Sequence, residues 1–260
     1  MNVSAVKSRL KWFSIGAAAR LYPGHAPTAL MYHSVNADSP HFFNVKPSQF
    51  IRQMEYLRSQ GREFIGMDRL LEAYQGRWEL APRAICMTFD DGYLDNLTTA
   101  LPILEQYGIP AIFYIATDFI ERRVHKEQPM CSLAELRKLA AHPLVTIGSH
   151  TISHPRLDRI DPERARSEIA GGKARLEEWL GTEIRHFAYP KGRYHAGTVE
   201  LVKEAGFATA VTVAAGPLDP KADPFRINRV SIDCGLPDWA FKLAIGRAFN
   251  AYAKMRNAWS

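Results

Sequence analysis

Short apolar runs and longer amphipathic segments alternate along this chain. The apolar runs are TALMYHSV from Thr28, RAICMTF from Arg83, PAIFYIAT from Pro110, LVTIGSH from Leu144, RHFAYP from Arg185, FATAVTV from Phe207 and FRINRVSI from Phe225. Each is short and rich in β-branched or aromatic residues, as strands are, and the segments between them have helical spacing. Ser132-Leu-Ala-Glu135 reads as a capping box and Asp161-Pro162-Glu163 as an N-cap followed by proline and an acid, while Gly108, Gly181 and Gly206 mark helix stops. Repeated βα units build a parallel sheet. About seven of them, with no dinucleotide or phosphate fingerprint, predict an α/β fold of the distorted (β/α) barrel type rather than an open doubly wound sheet. The expected organisation is a basic amphipathic segment over 1–27, a barrel domain over 28–236 and a C-terminal helix over 237–260.

Composition narrows the setting. A length of 260 residues with 47% hydrophobic and 23% charged positions suits one large globular domain. Cys86, Cys131 and Cys234 are widely spaced and odd in number, which reads as buried small hydrophobes in a reducing compartment. The net charge of +6 comes without any nucleic-acid-binding motif, so no nucleic acid partner is expected and charge alone selects none. No apolar run reaches the roughly 20 residues of a membrane span. Lys7, Arg9 and Lys11 interleave with Val3, Val6, Leu10, Phe13 and Ala17 at helical spacing, which favours a surface helix over a signal peptide. The C-terminal run WAFKLAIGRAFNAYAKMRNAWS suits packing on its own domain, with peripheral membrane contact as the alternative. A cytoplasmic location, with contact at the inner membrane surface as a variant of it, is therefore expected; the oligomeric state is left open.

In such folds chemistry gathers at the C-terminal ends of strands. The run Ile85-Cys-Met-Thr-Phe-Asp-Asp-Gly-Tyr93 ends an apolar strand in two carboxylates, Asp90 and Asp91, whose side chains point to opposite faces of an extended chain; a helix N-cap with a spare acid is the plainer reading. GSHTISHP places His150 and His154 after another strand, with Pro155 disfavouring a helix there. Two neutral imidazoles and a carboxylate from another strand end make a shell for a divalent cation with positions left open. Tyr189-Pro190-Lys191-Gly192 follows a third strand and is either a plain proline turn or a means of aiming a backbone N–H. His33 closes the first strand, where a hydrogen-bonded core histidine is the ordinary expectation.

These motifs together resemble the polysaccharide deacetylase family of the NodB-homology type, carbohydrate esterase family 4, over roughly Thr28 to Ile232. The resemblance implies that, in TFDDGY, Asp90 is the catalytic base and Asp91 a metal ligand. It implies that His150 and His154 of SHTISHP are the metal-binding histidines and that the Lys191 N–H of FAYPKG helps form an oxyanion hole. The family commonly begins this third motif with an arginine that braces the base, and here Ala188 stands in its place; the late Asp-Trp and Leu-x-His motifs are not evident. Those departures are similar to the poly-N-acetylglucosamine deacetylase subgroup, in which a circular permutation moves the histidine motif to the first strand. His33 then becomes the general acid, and Arg229 or Arg226 of PFRINRV replaces the brace.

The implied activity is metal-dependent hydrolysis of an N-acetyl group from an amino sugar of a polysaccharide or glycolipid. Zinc is the expected metal, with cobalt, nickel or iron as alternatives. Competing readings are a deformylase or other small-acyl amidase on a lipid-linked sugar, and an inactive metal-bearing glycan-binding domain. If His33 is structural, His186 or His195 are the next proton donors to consider.

Overall fold

A computed structural model describes residues 24–249. The basic segment expected over 1–27 therefore falls almost wholly outside the described residues, as does the end of the C-terminal helix expected over 237–260. The strands in chain order are β1 (Thr28–Tyr32), β2 (Ser34–Val35), β3 (Asn44–Val45), β4 (Glu63–Ile65), β5 (Ala84–Asp91), β6 (Ala111–Ile115), β7 (Val124–His125), β8 (Gln128–Pro129), β9 (Val145–Ser149), β10 (His186–Ala188), β11 (Thr209–Val211) and β12 (Val230–Ser231). The main sheet runs β11-β10-β9-β6-β5-β1-β12, with β4 beside the first half of β5, and its pairings are parallel.

The two ends of this order meet. Ile227 bridges Val211 in parallel, and shortly afterwards Val230 pairs with Leu30, so the sheet curls into a distorted barrel. The change of partner also explains why FRINRVSI yields only a two-residue strand. Its start bonds toward Ala210 and Ala214, while its end, Ile232, donates to the Met31 carbonyl.

Alternation along the strands divides the core. Leu30, Ile85, Met87, Phe89, Phe113 and Phe187 pack in one cluster that includes the helices, whereas Ala29, Ala84, Cys86, Ile112, Tyr114, Ala188 and Val211 form a second. Residues of opposite parity on each strand thus belong to different clusters, as side chains on the two faces of a sheet must. Several members of the second cluster are small, which leaves room in the barrel interior for Tyr114 and Arg229, both fully buried. Gly148 on β9 is part of this fit: a Cβ there would lie 2.4 Å from the Tyr114 ring.

The helix ends follow the sequence signals. Ser132 and Glu135 form the capping box, the Asp161 side chain accepts from the Arg164 N–H, and Gly108 and Gly181 close their helices with left-handed backbone. Three expectations change. Cys86 and Cys131 are buried, but Cys234 is exposed, because it lies in the loop after β12, where its backbone N–H rather than its thiol is bound, to the Phe42 carbonyl. The short strand β4 was not anticipated, since Glu63-Phe-Ile65 is too brief to show a period of its own. The single helix expected over 237–260 is interrupted: a helix covers Asp238–Ala244, burying Ala240, Phe241 and Ala244, and ends at Ile245, after which Gly246 leaves helical geometry to bridge His25. Among the described residues no helix is long and apolar enough to cross a membrane.

Candidate active site

The ends of β1, β5 and β9, the turn after β10 and the loop after β11 surround a pocket of about 490 Å³ lined by Met31, His33, Phe43, Asp90, Asp91, Lys126, His150, His154, Lys191, Val213 and Ser231. Most of the residues singled out in the sequence thus share one cavity. Arg229 does not line the cavity but is fully buried and bonded to Asp90.

Asp90 continues the inward parity of Ala84, Cys86 and Thr88. Arg229 Nη1 meets its Oδ1 at 2.6 Å and Nη2 its Oδ2 at 2.8 Å, a two-pronged charge-assisted pair. The guanidinium is itself fixed, donating from Nε to the Thr212 carbonyl at 2.8 Å and from Nη1 to Thr88 Oγ1 at 3.0 Å. Arg226 cannot share the task, because it is half-exposed and reaches Asp223 at 3.4 Å. Burial opposes ionisation of Asp90, but the Arg229 guanidinium outweighs it and holds the carboxyl down at about 2. The group is therefore an anion at any ordinary working pH.

If turnover needs the Asp90 anion, this pair sets the acidic side of the pH profile. Arg229→Gln removes the positive charge and should raise the Asp90 pKa, so that activity declines as pH falls through a value higher than in the parent protein. Kinetics over a pH range would show this; an unmoved acidic limb would show that Arg229 does not set the ionisation of Asp90.

Asp91 breaks the alternation of its strand. Its φ is +80°, a left-handed backbone that turns the carboxylate back toward the same pocket. The expectation that neighbouring carboxylates face different surroundings therefore holds for their partners and fails for their location. Asp91 Oδ1 lies 3.7 Å from His150 Nε2 and 3.6 Å from His154 Nε2, and it is buried with no hydrogen-bond partner. His150 Nδ1 faces the Ala188 carbonyl at 2.7 Å, and since a carbonyl only accepts, the ring proton resides there in the neutral imidazole and Nε2 presents a lone pair. Burial pushes the His154 pKa down to about 3, so its ring is neutral.

Lone pairs on two imidazoles thus confront an unpartnered carboxylate oxygen, with the three ligand atoms within 4.8 Å of one another. Such a meeting of buried acceptors is costly unless something positive lies between them, and the donor set suits a divalent cation.

The pocket wall carries the other sequence candidates. Lys191 lies in the Pro190–Gly192 turn with φ +56°, a left-handed conformation uncommon for a lysine. His33 is half-buried and stacks on Phe43 with ring centroids 4.6 Å apart; its Nδ1 is buried without a partner. Burial lowers the His33 pKa, while Asp91 and Asp90 pull it back up. The alternative donors are elsewhere: His186 at the start of β10 is held between Thr209 and Asp68, and His195 caps the helix Ala196–Glu204 by accepting from the Thr198 N–H. The sequence reading missed Phe43, Lys126 and Val213 as lining groups. The adjacent aromatics in His41-Phe-Phe-Asn44 were the available signal for Phe43.

Comparison with known proteins places this geometry. A profile of the polysaccharide deacetylase family matches residues 79–210. The Bacillus subtilis protein YxkH is 26% identical over 223 residues, covering 86% of this chain and 74% of its own length. The poly-beta-1,6-N-acetyl-D-glucosamine N-deacetylase of Escherichia coli K12 is 23% identical over 240 residues, which cover 76% of this chain and only 35% of that enzyme. Among solved structures, IcaB from Ammonifex degensii superimposes with a TM-score of 0.76 at 28% identity, covering 85% of this chain and 97% of that one. The fold is thus the NodB-type barrel.

Proposed function

Since the chain belongs to the polysaccharide deacetylase family, we propose that it is a metal-dependent hydrolase that removes an N-acetyl group from an amino sugar of a glycan of the poly-N-acetylglucosamine kind. The observation that carries this reading is the juxtaposition in one pocket of a carboxylate kept ionised by Arg229 and an Asp91, His150 and His154 cluster fit for a cation. The named activity of the Escherichia coli relative and the match to IcaB support the substrate class.

When bound by Asp91, His150 and His154, a divalent cation supplies positive charge that polarises the amide carbonyl and acidifies water. Zinc is the first choice for this donor set, with cobalt, nickel and iron close behind. Asp90 takes the proton of the attacking water, and Arg229 holds its carboxylate in place through both oxygens. The Lys191 N–H donates to the oxygen on which negative charge develops. His33 gives a proton to the departing sugar nitrogen, which would otherwise leave as a poor anion.

The roles of Asp90 and His33 make opposite demands on pH. Asp90 must be ionised and His33 protonated, so the rate falls at high pH as His33 loses its proton. Because burial lowers His33, that fall should begin below where it would for an exposed histidine. His33→Ala should cut the rate, flatten the alkaline limb and leave metal content unchanged. A variant that melts early yet keeps the parent profile when folded would make His33 a packing residue.

Release of acetate and formate measured over a panel of N-acylated glycans tests the reading as a whole. Acetate from N-acetylglucosamine oligomers is the expected product. Formate alone would make the protein a deformylase, and binding without release of either acid would make it a glycan-binding domain.

A further inference from the structure

His154 reaches the metal cluster from a loop whose backbone is unfavourable for its residues. Thr151 has φ +70° and His154 φ +60°, both left-handed and neither glycine. Such positions persist only where the surroundings over-determine them. The loop's own contribution is small: the His154 N–H donates to Thr151 Oγ1 at 3.1 Å.

The rest of the hold comes from two helices. The carbonyls of Thr151 and Ile152 accept from the N–H groups of Thr117 and Asp118 at 3.3 and 2.9 Å. The N–H groups of Ile152 and Ser153 donate to Glu168 Oε2 at 3.1 and 2.8 Å, and the Ser153 hydroxyl donates to Glu168 Oε1 at 2.5 Å. Glu168 is buried in the middle of the helix Pro162–Leu180 and has no basic partner within ion-pair distance among the described residues. Its carboxylate is satisfied by this loop.

One turn further along the same helix face lies Gly172. A Cβ there would stand 2.8 Å from the Thr151 carbonyl carbon and 3.0 Å from its oxygen, contacts with backbone that no side-chain movement relieves. Glycine in a helix interior costs about 1 kcal/mol relative to alanine, and this helix carries two in succession, Gly171 and Gly172. The bare surface lets the loop lie directly on the helix.

We propose that Glu168 and Gly172 are positioning residues for His154: together they fix the left-handed loop that brings its imidazole to Asp91 and His150, and so set the affinity of the site for its metal without touching it. This inference rests on the reading of the cluster as a metal site. Residues that orient a ligand from behind typically change metal affinity by about 10–100-fold when removed.

The test is the affinity of the stripped full chain for Co²⁺, read from visible absorption in competition with a chelator. Wild type should bind one equivalent, Glu168→Ala should bind about 10–100-fold more weakly with an altered spectrum, and Gly172→Ala should weaken binding by a similar factor. Glu168→Gln keeps an oxygen for the two N–H groups and should recover most of the affinity. Ser153→Ala, which removes only the hydroxyl bond, provides a mild variant if Glu168→Ala does not fold, and it should still lower affinity by a few-fold. Leu176→Ala, in the buried face of the same helix, should lower Tm without changing the affinity of the folded protein. Unchanged cobalt affinity and spectrum in folded Glu168→Ala, or in Ser153→Ala and Gly172→Ala together, would overturn the proposal. So would an equal loss in Leu176→Ala. Absence of binding by wild type would instead remove the metal reading on which it stands.

Discussion

Asp90→Asn is expected to lower turnover by about 10²–10⁴-fold, the usual contribution of a general base, while the folded protein keeps its metal. Asparagine has the shape of aspartate and cannot take a proton from water. The position is paired with Arg229 and is not among the candidate metal ligands, which are Asp91, His150 and His154. The substitution also leaves the fully buried Arg229 cation without its anion. Breaking such a pair costs on the order of 3–5 kcal/mol, so rates should be compared well below the melting transition. Turnover within ten-fold of the parent, in protein shown to be folded and metal-loaded, would deny Asp90 the role of base.

His150→Ala should abolish turnover by a different route, through loss of the metal. The ring is buried, its Nδ1 is tied to the Ala188 carbonyl and its Nε2 faces Asp91. No nearby side chain replaces it in the cluster of described residues. The same loss in Asp91→Asn should be partly recovered by excess metal, because the amide oxygen remains a weak ligand, whereas excess metal should do nothing for Asp90→Asn. Metal content per chain and activity against added metal separate these cases. If Asp90→Asn loses the metal and Asp91→Asn keeps it, the two carboxylates exchange roles.

Much of this arrangement was legible in the chain because it depends on local order. Apolar runs of strand length mark β1, β5, β6, β9, β10 and β11, and the polar residues that close them are the ones a barrel gathers at one end. Asp90, Asp91, His150 and His154 stood out for that reason. What sequence could not show depends on distant parts of the chain meeting. A linear reading puts Arg229 first but keeps Arg226 as the alternative; only the switch of partners after Ile227 brings one to Asp90 and leaves the other exposed beside Asp223. Glu168 looks like any helix glutamate until the loop after β9 is laid across it. Asp91 shares the pocket with Asp90 because of one backbone angle, which a strand's period-two rule does not foresee.

The most direct test of the central claim is a metal titration of the stripped full chain, followed by acetate release from N-acetylglucosamine oligomers. Activity should be absent after removal of the metal, rise in proportion to added zinc or cobalt, and level off at one equivalent per chain. Full acetate release from protein verified to contain no metal would contradict the account.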